Sequence, residues 1–564
     1  MTNNESNVQD TDLVHIKLTS GGELEVARLT RVCDILPPEE EGLPWLGALV
    51  NNDICSCSYP IDMNCTVEFL NASHRYGAQI YRRSMSFLLA KAVQDLFPEA
   101  FFAVEHSLGT GYYCRFEHPD KSGLSKQEFD ALEAHLRHLI ASKIRIQRKN
   151  VSFEEAYREL EREQQIDKLN LLRFRNPPRI TMWRCEDFSD AGHGVIAPST
   201  HCLDTFTLID HDPGFVLQFP VWNAERKVRE MPAYERQPHL FEIFQEHKKW
   251  GEIIGIRTVG DLNAAVANHS LDDLVKTSEA FHEKKLSHIA DQILARKDKT
   301  RWVFIAGPSS AGKTTFSRRL AVHMRVNGLR PVTIECDNYF VNREDTPVDA
   351  QGHVDFEHID AIDHDLFNDH LEKLDRGEEI ELPTFNFQEG RQEFHGNTLK
   401  LEEDQVVLIE GIHCLDPVMS LGIPRDHKFC IYISALTQLT LDKNNRLSTT
   451  DLRLIRRIIR DNRTRGHSAL RTFELWPSVR RGEKRWIFPF QQLADVAFNS
   501  SLDYEFAVLK PFVAPLLAEI KPFHKEYAEA RRLIDFLDMI LTAPAEPVPK
   551  SSIIREFIGE SSYH

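Results

Sequence analysis

One stretch of the chain combines the residue types and the spacing of a loop that binds phosphate groups. Residues 307–314 read Gly-Pro-Ser-Ser-Ala-Gly-Lys-Thr, which fits the pattern GxxxxGK followed by Ser or Thr at every specified position. The glycines let the backbone curl so that its N–H groups face a phosphate, and Lys313 adds a positive charge. Thr314 can place its hydroxyl on Mg²⁺. Because an apolar run precedes the loop and a helical pattern follows it, a chance match explains it poorly.

Two acidic side chains follow predicted strands further along the chain. Asp337 comes after the run 331–335, and in an open α/β sheet an Asp at that end of a strand points into the ligand crevice. It could accept the proton of a hydroxyl that attacks a phosphate, while capping of the next turn is the simpler alternative. Glu410 ends an apolar run and precedes Gly411, which is typical of a metal-contacting strand end. A structural role remains equally open for Glu410 alone.

A third group of candidate residues is an arginine cluster. Residues 453–465 hold six arginines in thirteen positions, and Leu452, Ile455 and Ile459 recur beside them at helical spacing. The pattern predicts a helix that packs on its apolar face and offers a row of guanidinium groups on another. A solvated charged face is the alternative, but in a chain of net charge −17 the row favours a polyphosphate as its counter-charge. The row consists of Arg453, Arg456, Arg457 and Arg460.

The elements that must position these residues indicate an α/β fold. Residues 302–306 form a short apolar run before the loop, and a helix is predicted from the loop to about Val326. Further buried strands are predicted at 331–335, 406–410 and 429–433. Buried strands separated by helical stretches imply a parallel sheet with helices on both faces.

The preceding part of the chain has a different pattern. Strands are predicted at 13–18, 24–26, 48–52 and 65–70, the first two as a hairpin, and helices at 80–97, 126–146, 152–165 and 270–296. The expected divisions are a disordered N-terminus at 1–11, a small β domain at 12–70, an α+β domain at 71–225, a helical connector at 226–299, the α/β domain at 300–542 and a tail at 543–564, whose Pro-rich start indicates a linker.

Length and composition limit the class of protein. The chain has 564 residues, enough for about three to four domains, and its 42% apolar and 27% charged residues are an ordinary globular composition. Lys plus Arg number 68 against 85 for Asp plus Glu, so the surface is a poor partner for nucleic acid or a membrane. Ten scattered cysteines without a CxxC pair indicate reduced thiols. With neither a signal peptide nor an apolar run of membrane length, a cytoplasmic location is expected.

Together the three groups resemble the uridine kinase and phosphoribulokinase family of P-loop kinases. The similarity covers roughly 300–520 and includes residues 307–315, 337–339, 355–363, 383–387, 410–412 and 456–461. The resemblance implies that Asp337 is the catalytic base and that Thr314 and Glu410 lie beside Mg²⁺. It implies a second catalytic group in Lys313 and a position near the acceptor for Arg457. ATP would contact Gly307, Ser309, Ser310, Ala311, Gly312, Lys313, Thr314, Thr315 and, from a lid, Arg460 and Arg465.

Several positions depart from the family pattern. Glu357 stands where the family has an Asp that holds the ribose, and Phe385 stands where it has a Tyr that contacts the base. Gly390 replaces a base-contacting His, and His467 replaces a second lid Arg. The phosphoryl-transfer residues match while the base-reading residues do not, which argues against a uridine-specific site. The expected substrate-binding residues are Asp337, Glu357, Phe385 and Arg457.

The N-terminal half carries a second resemblance. Residues 12–70 resemble the ubiquitin-like TGS module, and 71–220 resemble the domain that follows it in threonyl-tRNA synthetase. The similarity lies in Val67–Leu70, Ile80–Ser84, Glu105–Ser107, Arg184–Phe188 and Ala197–Thr200. An editing hydrolase is not expected, because only Cys185 remains of that domain's metal ligands. Its HxxxH pair falls at Arg83 and Phe87, and its downstream Pro-His falls at Val195 and Ile196.

Two further groups have no assigned role. The spacings among Cys185, His193, His201, Cys202 and His211 fit no standard metal site, and scattered core or surface residues are the preferred interpretation. The whole domain combination resembles a bacterial family of nucleoside kinases, and the run Trp476–Glu483 looks typical of that group. Arg480, Arg481 and Lys484 could close over phosphates there, and an exposed loop is the alternative.

The leading hypothesis is an ATP- and Mg²⁺-dependent kinase that transfers the γ-phosphate to the 5′-hydroxyl of a nucleoside. The expected fold is an α/β P-loop kinase domain preceded by a β-grasp, TGS-like domain and an α+β, synthetase-like domain. The alternatives are a kinase of another hydroxyl compound, such as a sugar phosphate or pantothenate, and an RNA-engaging regulatory NTPase. The N-terminal half is expected to dock on the kinase as an assembly or regulatory module, and a homo-oligomer is left open.

Overall fold

The computed structural model describes residues 12–119, 121–349, 352–386 and 388–563. The N-terminus that is expected to be disordered, residues 1–11, lies outside these ranges. Within them, no helix is both long and apolar enough to cross a membrane. In chain order these residues form a small mixed sheet, an α+β region, three helices and a parallel α/β region.

The first sheet is mixed, and its first strand buries alternate side chains. In β1 (Leu13–Leu18), Val14 and Ile16 face the core while His15 and Lys17 face solvent. The other strands of this region are β2 (Glu23–Ala27), β3 (Thr30–Arg31), β4 (Gly47–Val50), β5 (Asp53–Cys55), β6 (Pro60–Ile61) and β7 (Cys65–Leu70), of which β3 and β6 pair only with each other. The order is β2-β1-β7-β4-β5 with β1 and β7 parallel, and the predicted hairpin of β1 and β2 is confirmed.

The next region packs one long helix, α1 (Arg75–Leu96), against antiparallel sheets. This helix begins earlier than predicted because the His74 imidazole accepts the Tyr76 N–H at 3.2 Å and caps it. The region continues with β8 (Phe101–Leu108), β9 (Gly111–His118), β10 (Lys121–Ser122), α2 (Lys126–Ala141), β11 (Gln147–Ser152), α3 (Phe153–Arg162), α4 (Ile166–Leu172), β12 (Arg179–Cys185), β13 (Phe188–Ala191), β14 (Thr207–His211), β15 (Gly214–Gln218), β16 (Val221–Asn223) and β17 (Val228–Glu230). One sheet has the order β10-β9-β15-β14 with β8 also on β9, and β11-β12-β13 forms another. Helix α2 ends before the predicted Ile146, and Lys143 just beyond it takes a left-handed φ of 52°.

Three helices lead into the last region. They are α5 (Pro238–Ile254), α6 (Val259–Ala267) and α7 (Leu271–Ala295). The predicted helix 270–296 is confirmed, and its apolar stripe is buried through Leu274, Leu286, Ile289 and Ile293.

The C-terminal region is built on a parallel sheet of five strands. Its strands are β18 (Trp302–Ala306), β19 (Arg330–Glu335), β22 (Gln405–Gly411), β23 (Lys428–Ser434) and β24 (Val496–Asn499), in the order β19-β22-β18-β23-β24. The other elements are α8 (Lys313–Val326), α9 (His364–Asp375), the hairpin of β20 (Ile380–Asn386) and β21 (Arg391–Leu399), α10 (Thr449–Arg465), α11 (Ala469–Gly482), α12 (Glu505–Ala518), α13 (Tyr527–Leu537) and α14 (Arg555–Ile558). The predicted α/β fold class is therefore confirmed.

Both faces of this sheet are covered. On β18, Val303 and Ile305 join a core with α7 and α8, while Trp302 and Phe304 join another with α9. In register, Ile305 pairs with Glu410 and Glu335 pairs with Glu410 on its other side. The carboxyl ends of the three strands therefore meet beside the loop that leads into α8.

The segment predicted as a tail linker is packed against the rest of the chain. Ala543 and Val548 are almost fully buried, and the Ala543 N–H donates to the Ala507 carbonyl at 3.0 Å. Ile553 and Phe557 are completely buried in the core that contains α7 and α8. Residues 543–558 thus belong to the folded body, because their apolar side chains find partners that the Pro-rich pattern does not reveal.

Candidate active site

The loop between β18 and α8 is held in a curled conformation. Ser310 and Gly312 both have left-handed backbones, with φ of 60° and 84°. Gly307 lies against the Ile433 carbonyl of β23, where a Cβ would collide. The Ser310 hydroxyl is buried and, within the described ranges, has no hydrogen-bond partner. Such a strained loop with a buried unpaired donor, opening a helix, fits the N-terminal anion site expected from its sequence.

Helix α10 supports this loop from one side. Arg453 Nε donates to the Ser309 carbonyl at 3.0 Å, and Arg457 Nη1 donates to the Ser309 hydroxyl at 2.9 Å. Arg456 Nη1 lies 3.4 Å from the Ser310 carbonyl. The helix therefore fixes the outer edge of the loop through three neighbouring guanidinium groups.

The predicted row of available guanidinium groups is wrong for Arg453 and Arg456. Arg453 is 2% exposed and pairs with Glu483, and Arg456 is 0% exposed and pairs with Glu505. Burial lowers the pKa of Arg453 to about 9. Their counter-charges are glutamates of the chain itself, because elements that pack on both sides of α10 cover this part of it.

The C-terminal end of the same helix carries the remaining arginines. Arg460 Nη2 and Arg465 Nη1 lie 2.9 and 3.4 Å from Asp461 Oδ1, and Arg457 Nε lies 3.2 Å from Asp461 Oδ2. Burial and the charge of Arg460 lower the pKa of Arg465 to about 10, whereas Asp337 acts in the opposite direction. Asp461 thus gathers Arg457, Arg460 and Arg465, three of the predicted site residues, on the side of Asp337.

Acidic residues meet the loop at the strand ends. Glu410 Oε1 accepts the Thr314 hydroxyl at 2.6 Å, and Asp337 lies on the turn that directly follows β19. Burial raises the pKa of Glu410 to about 7, with Lys313 opposing and Asp337 adding to the shift. A hydroxyl beside a carboxylate is a pair of hard oxygen ligands, which suits Mg²⁺.

The substrate side is formed by the segments around Glu357 and Phe385. Glu357 Oε1 lies 3.9 Å from Arg457 Nη1, and its Oε2 has no partner in the part of the chain that the structure describes. Burial raises the pKa of Glu357, which Arg457 and Lys313 counteract. Phe385 is buried, and its N–H lies 3.4 Å from Asn338 Oδ1, next to Asp337. Glu357 therefore lies beside an arginine that touches the loop, and Phe385 lies beside the turn that carries Asp337.

Helix α11 covers this side and was not recognised from sequence. Gly482 packs so closely on Glu357 that a Cβ there would collide with it. The Arg453 guanidinium lies over the Trp476 ring, 5.5 Å from the ring centre. The arginines considered for phosphate closure are engaged with carboxylates, Arg480 with Glu483 at 2.6 Å and Arg481 with Asp349 at 2.8 Å. Segment 476–483 is therefore a helical wall of the site.

His413 lies near the site and was not among the residues predicted from the sequence. It is 2% exposed and follows Glu410 closely in the chain, in the loop after β22. Burial lowers its pKa to about 3, and the charge of Lys313 acts in the same direction, so the imidazole is neutral near pH 7. The sequence signal for this residue is its position three residues after Glu410, at the end of a predicted strand.

The metal-ligand positions of the synthetase-like region have other contacts. Arg83 Nη1 donates to the Val195 carbonyl at 2.9 Å, Phe87 packs on Phe188, and burial raises the pKa of the Cys185 thiol to about 11. His193 Nε2 lies 2.9 Å from Asp442 Oδ2. Across the described residues, no three or more His, Cys, Asp or Glu side chains are grouped to hold a metal ion.

Comparison with known proteins gives two kinds of relative. The model of the phosphoribulokinase/uridine kinase family matches residues 303–505. The uridine kinase of Chloroflexus aggregans is 31% identical over 196 residues, 34% of this chain and 84% of that protein, and the uridine kinase of Bacillus pumilus is 30% identical over 82% of its length. The chain belongs to this family.

Other similarities are partial. The threonine–tRNA ligase of Clostridium kluyveri is 27% identical over 191 residues, which are 33% of this chain. The chain therefore spans only 30% of that ligase. A structure described as a possible uridine kinase from Bacillus stearothermophilus covers 38% of the chain, with 17% identity and a TM-score of 0.27.

Proposed function

We propose that this protein is an ATP-dependent kinase that phosphorylates the 5′-hydroxyl of a nucleoside. The observation that carries the proposal is the convergence of Lys313, the Thr314–Glu410 pair and Asp337 at the carboxyl end of one parallel sheet. A phosphate-binding loop, a metal-binding pair and a carboxylate base are the parts that phosphoryl transfer requires. Family membership and the two uridine kinases support the same reaction class.

In this proposal Asp337 takes the proton of the acceptor hydroxyl as its oxygen attacks the γ-phosphate. Lys313, Arg460 and Arg465 surround the transferred group and stabilise the negative charge that develops on it. The loop N–H groups bind the remaining phosphates of ATP. The protein therefore contributes mainly by positioning the two substrates and by stabilising charge, because the reacting groups belong to the substrates.

Mg²⁺ would be held by Thr314 and Glu410, whose oxygens already lie 2.6 Å apart. When bound, it neutralises phosphate charge. The pKa of about 7 for Glu410 keeps a share of this carboxyl protonated without the metal. Both residues therefore fit the cation, and the Glu410 side chain must release its proton to bind it.

The acceptor is held by Glu357, Phe385 and Arg457 in this proposal. The unpartnered Glu357 Oε2 supplies an acceptor for sugar hydroxyl groups, and Arg457 fixes the carboxylate from behind. Gly390 has a left-handed φ of 70° and packs on the Arg343 side chain, so a base-contacting side chain at that position would be strained and would have to displace this arginine. This departure favours the second candidate, a kinase for a sugar phosphate or another hydroxyl compound.

A substrate screen separates the two candidates. Purified protein is incubated with ATP, Mg²⁺ and single acceptors, namely the common ribonucleosides and deoxyribonucleosides, sugar phosphates and pantothenate, and ADP release is measured. Turnover on one or more nucleosides with 5′-monophosphate as the product is the expected result. Turnover on a sugar phosphate or pantothenate alone would select the second candidate, and ATP hydrolysis without any acceptor dependence would contradict both.

For the N-terminal half we propose a docked regulatory module with the expected divisions, a TGS-like domain at 12–70 and a synthetase-like domain at 71–225. Support comes from the loop before α10, where Asn444 Nδ2 donates to Asp190 Oδ2 at 2.8 Å and Asp442 faces His193. Lys168 pairs with Asp190 in the same buried network. The synthetase-like region thus contacts the segment that leads into the helix whose arginines hold the loop.

The RNA-engaging NTPase is tested separately. The full-length protein is titrated with bulk tRNA at low and at physiological salt, because binding carried by phosphate contacts falls steeply as salt rises. No binding at low salt is expected for a docked module in a chain of net charge −17. Salt-dependent tRNA binding would favour the RNA-engaging alternative instead.

A further inference from the structure

A segment near the C-terminal end of this chain contacts the phosphate-binding loop directly. We call residues 552–560, which include α14, the C-terminal segment. A Cβ added to Gly312 would lie 2.5 Å from Ile553 Cγ2, so this side chain rests on the glycine of the loop. Glu556 Oε2 accepts the Thr315 hydroxyl at 2.8 Å and the Thr315 backbone N–H at 3.3 Å. The segment therefore places a carboxylate at the beginning of α8.

Helix α10 clamps the same segment in place. Arg463 Nε donates to the Phe557 carbonyl at 3.0 Å, and its Nη2 donates to the Glu556 carbonyl at 2.8 Å. The Arg456 guanidinium lies 5.0 Å from the centre of the Phe557 ring. Helix α10, which carries the arginine cluster, thus contacts both the loop and the C-terminal segment.

The position of the Glu556 carboxylate matters because Thr315 is in the first turn of α8. The first N–H groups of a helix have no partner within it, and here the Phe316 N–H already pairs with the Gly312 carbonyl. The N–H of Thr315 is therefore one of the few donors at this end that can serve a bound anion. Glu556 already supplies that anion from within the chain.

A nucleotide phosphate and the Glu556 carboxylate compete for the same N–H donors at the N-terminus of α8. Both are negative and both prefer the N–H groups at the positive end of the helix dipole. Two negative groups a few ångströms apart repel each other, and they do so more strongly where protein replaces part of the surrounding water, as it does around the half-buried Glu556. Binding of a polyphosphate at the loop must therefore displace the Glu556 side chain or act against its charge.

We propose that the C-terminal segment is a built-in competitor of the nucleotide, with Glu556 as the group that nucleotide phosphate must displace from Thr315. The inference rests on the proposed function, since it takes the loop as the nucleotide site. Without nucleotide, the Glu556 carboxylate accepts the Thr315 N–H and hydroxyl at the start of α8. Nucleotide binding breaks the contact of Glu556 with Thr315 and loosens the segment from the loop and from Arg463.

The test compares Glu556→Gln and Glu556→Ala with the wild type in calorimetric titrations with the β,γ-imido analogue of ATP and Mg²⁺. Because charged hydrogen bonds are roughly twice as strong as neutral ones, both variants are expected to bind the analogue about tenfold more tightly. KM for ATP should fall similarly at unchanged kcat. The matched control is Glu560→Gln, which removes the same charge from an exposed side chain that pairs with Arg555 at 3.3 Å.

Hydrogen exchange of the wild type supplies a second readout. Peptides covering 552–560 should exchange faster with the analogue bound than without it, because the carboxylate has left Thr315. If the wild type binds the analogue while both variants bind it equally or more weakly, or if these peptides become more protected, the competitor is refuted and the proposed kinase stands. If the wild type binds no analogue at all, the proposed function fails, and the competitor fails with it.

Discussion

Arg456 and Glu505 form a bidentate ion pair inside the C-terminal region, with Nε–Oε2 at 2.9 Å and Nη2–Oε1 at 3.1 Å. Both side chains are shielded from solvent, with exposed fractions of 0% and 1%. The same guanidinium reaches the Ser310 carbonyl and the Ser500 carbonyl, at 3.4 and 2.8 Å. A residue of the arginine cluster thus joins the phosphate-binding loop to the start of α12.

Replacement of Arg456 by Met is expected to destabilise the protein by about 3–5 kcal/mol, because it leaves the Glu505 carboxylate buried without its partner. The double variant Arg456→Met/Glu505→Gln should recover much of that loss, since the remaining amide carries no charge. Chemical denaturation followed by tryptophan fluorescence measures the free energy of unfolding. A single variant as stable as the wild type, or a double variant less stable than the single one, would contradict the structural role of this pair.

The arginine cluster shows what sequence can and cannot establish here. Its spacing predicted the helix correctly, and it grouped Arg453, Arg456, Arg457 and Arg460 on one face. Which of them reach a ligand depends on Glu483 and Glu505, which lie later in the chain and meet the helix only in the folded state. Long-range carboxylates leave no periodic signal beside the arginines, so the division of the cluster into structural and site-facing residues could not be predicted.

Local signals predicted the other parts with different success. The loop, β18 and α8 could be predicted because the residues of the phosphate-binding motif each have a defined role in the curled loop or at the start of the helix. The parallel strands could be predicted from their apolar runs. Pro residues near 543–549 indicate a linker, whereas Ile553 and Phe557 are buried through tertiary contacts that the local sequence does not show. The contact of Glu556 with Thr315 could not be predicted either, because the two residues are 241 positions apart in the chain.

Replacement of Asp337 by Asn is expected to reduce kcat by about two to four orders of magnitude, because the amide cannot take the proton of the acceptor hydroxyl. Binding of ATP should stay within about twofold, since the phosphates contact the loop and the arginines instead. A coupled ADP-release assay measures kcat, and calorimetry measures nucleotide binding. The control Asp365→Asn alters a carboxylate whose side chain is 98% exposed at the start of α9. Near-normal turnover of Asp337→Asn would show that another group is the base.

Mg²⁺ binding should depend on pH through Glu410, whose pKa burial raises to about 7. Above pH 7 the side chain is a carboxylate and binds the cation, whereas below pH 7 proton and metal compete, so affinity should fall about tenfold per pH unit. Without metal, the folding stability that Glu410 contributes changes with pH in the opposite direction, falling as pH rises. Since the native state holds this proton up to a higher pH than the unfolded chain, stability from it is complete below about pH 4.5 and is lost as pH rises through 7.

Thermal unfolding at pH 6, 7 and 8 with increasing Mg²⁺ measures both effects of this side chain. The variant Glu410→Gln should lose the Mg²⁺-dependent stabilisation at pH 8 and show a flatter pH profile without metal. Glu403→Gln, which changes an exposed carboxylate just before the same strand, serves as the control. A Mg²⁺ effect of equal size at pH 6 and pH 8 in the wild type would exclude Glu410 as a metal ligand with this pKa.

Glu357 is expected to act on acceptor binding rather than on the chemical step. Its unpartnered Oε2 and the nearby Arg457 form an acceptor for hydroxyl groups, so Glu357→Gln should raise KM for the acceptor about tenfold while kcat and the KM for ATP change little. Steady-state kinetics with each substrate varied in turn separate the three constants. The exposed Glu389→Gln in the neighbouring hairpin turn is the matched control. Unchanged acceptor KM together with a lower melting temperature would mean that Glu357 only pairs with Arg457 to support the loop.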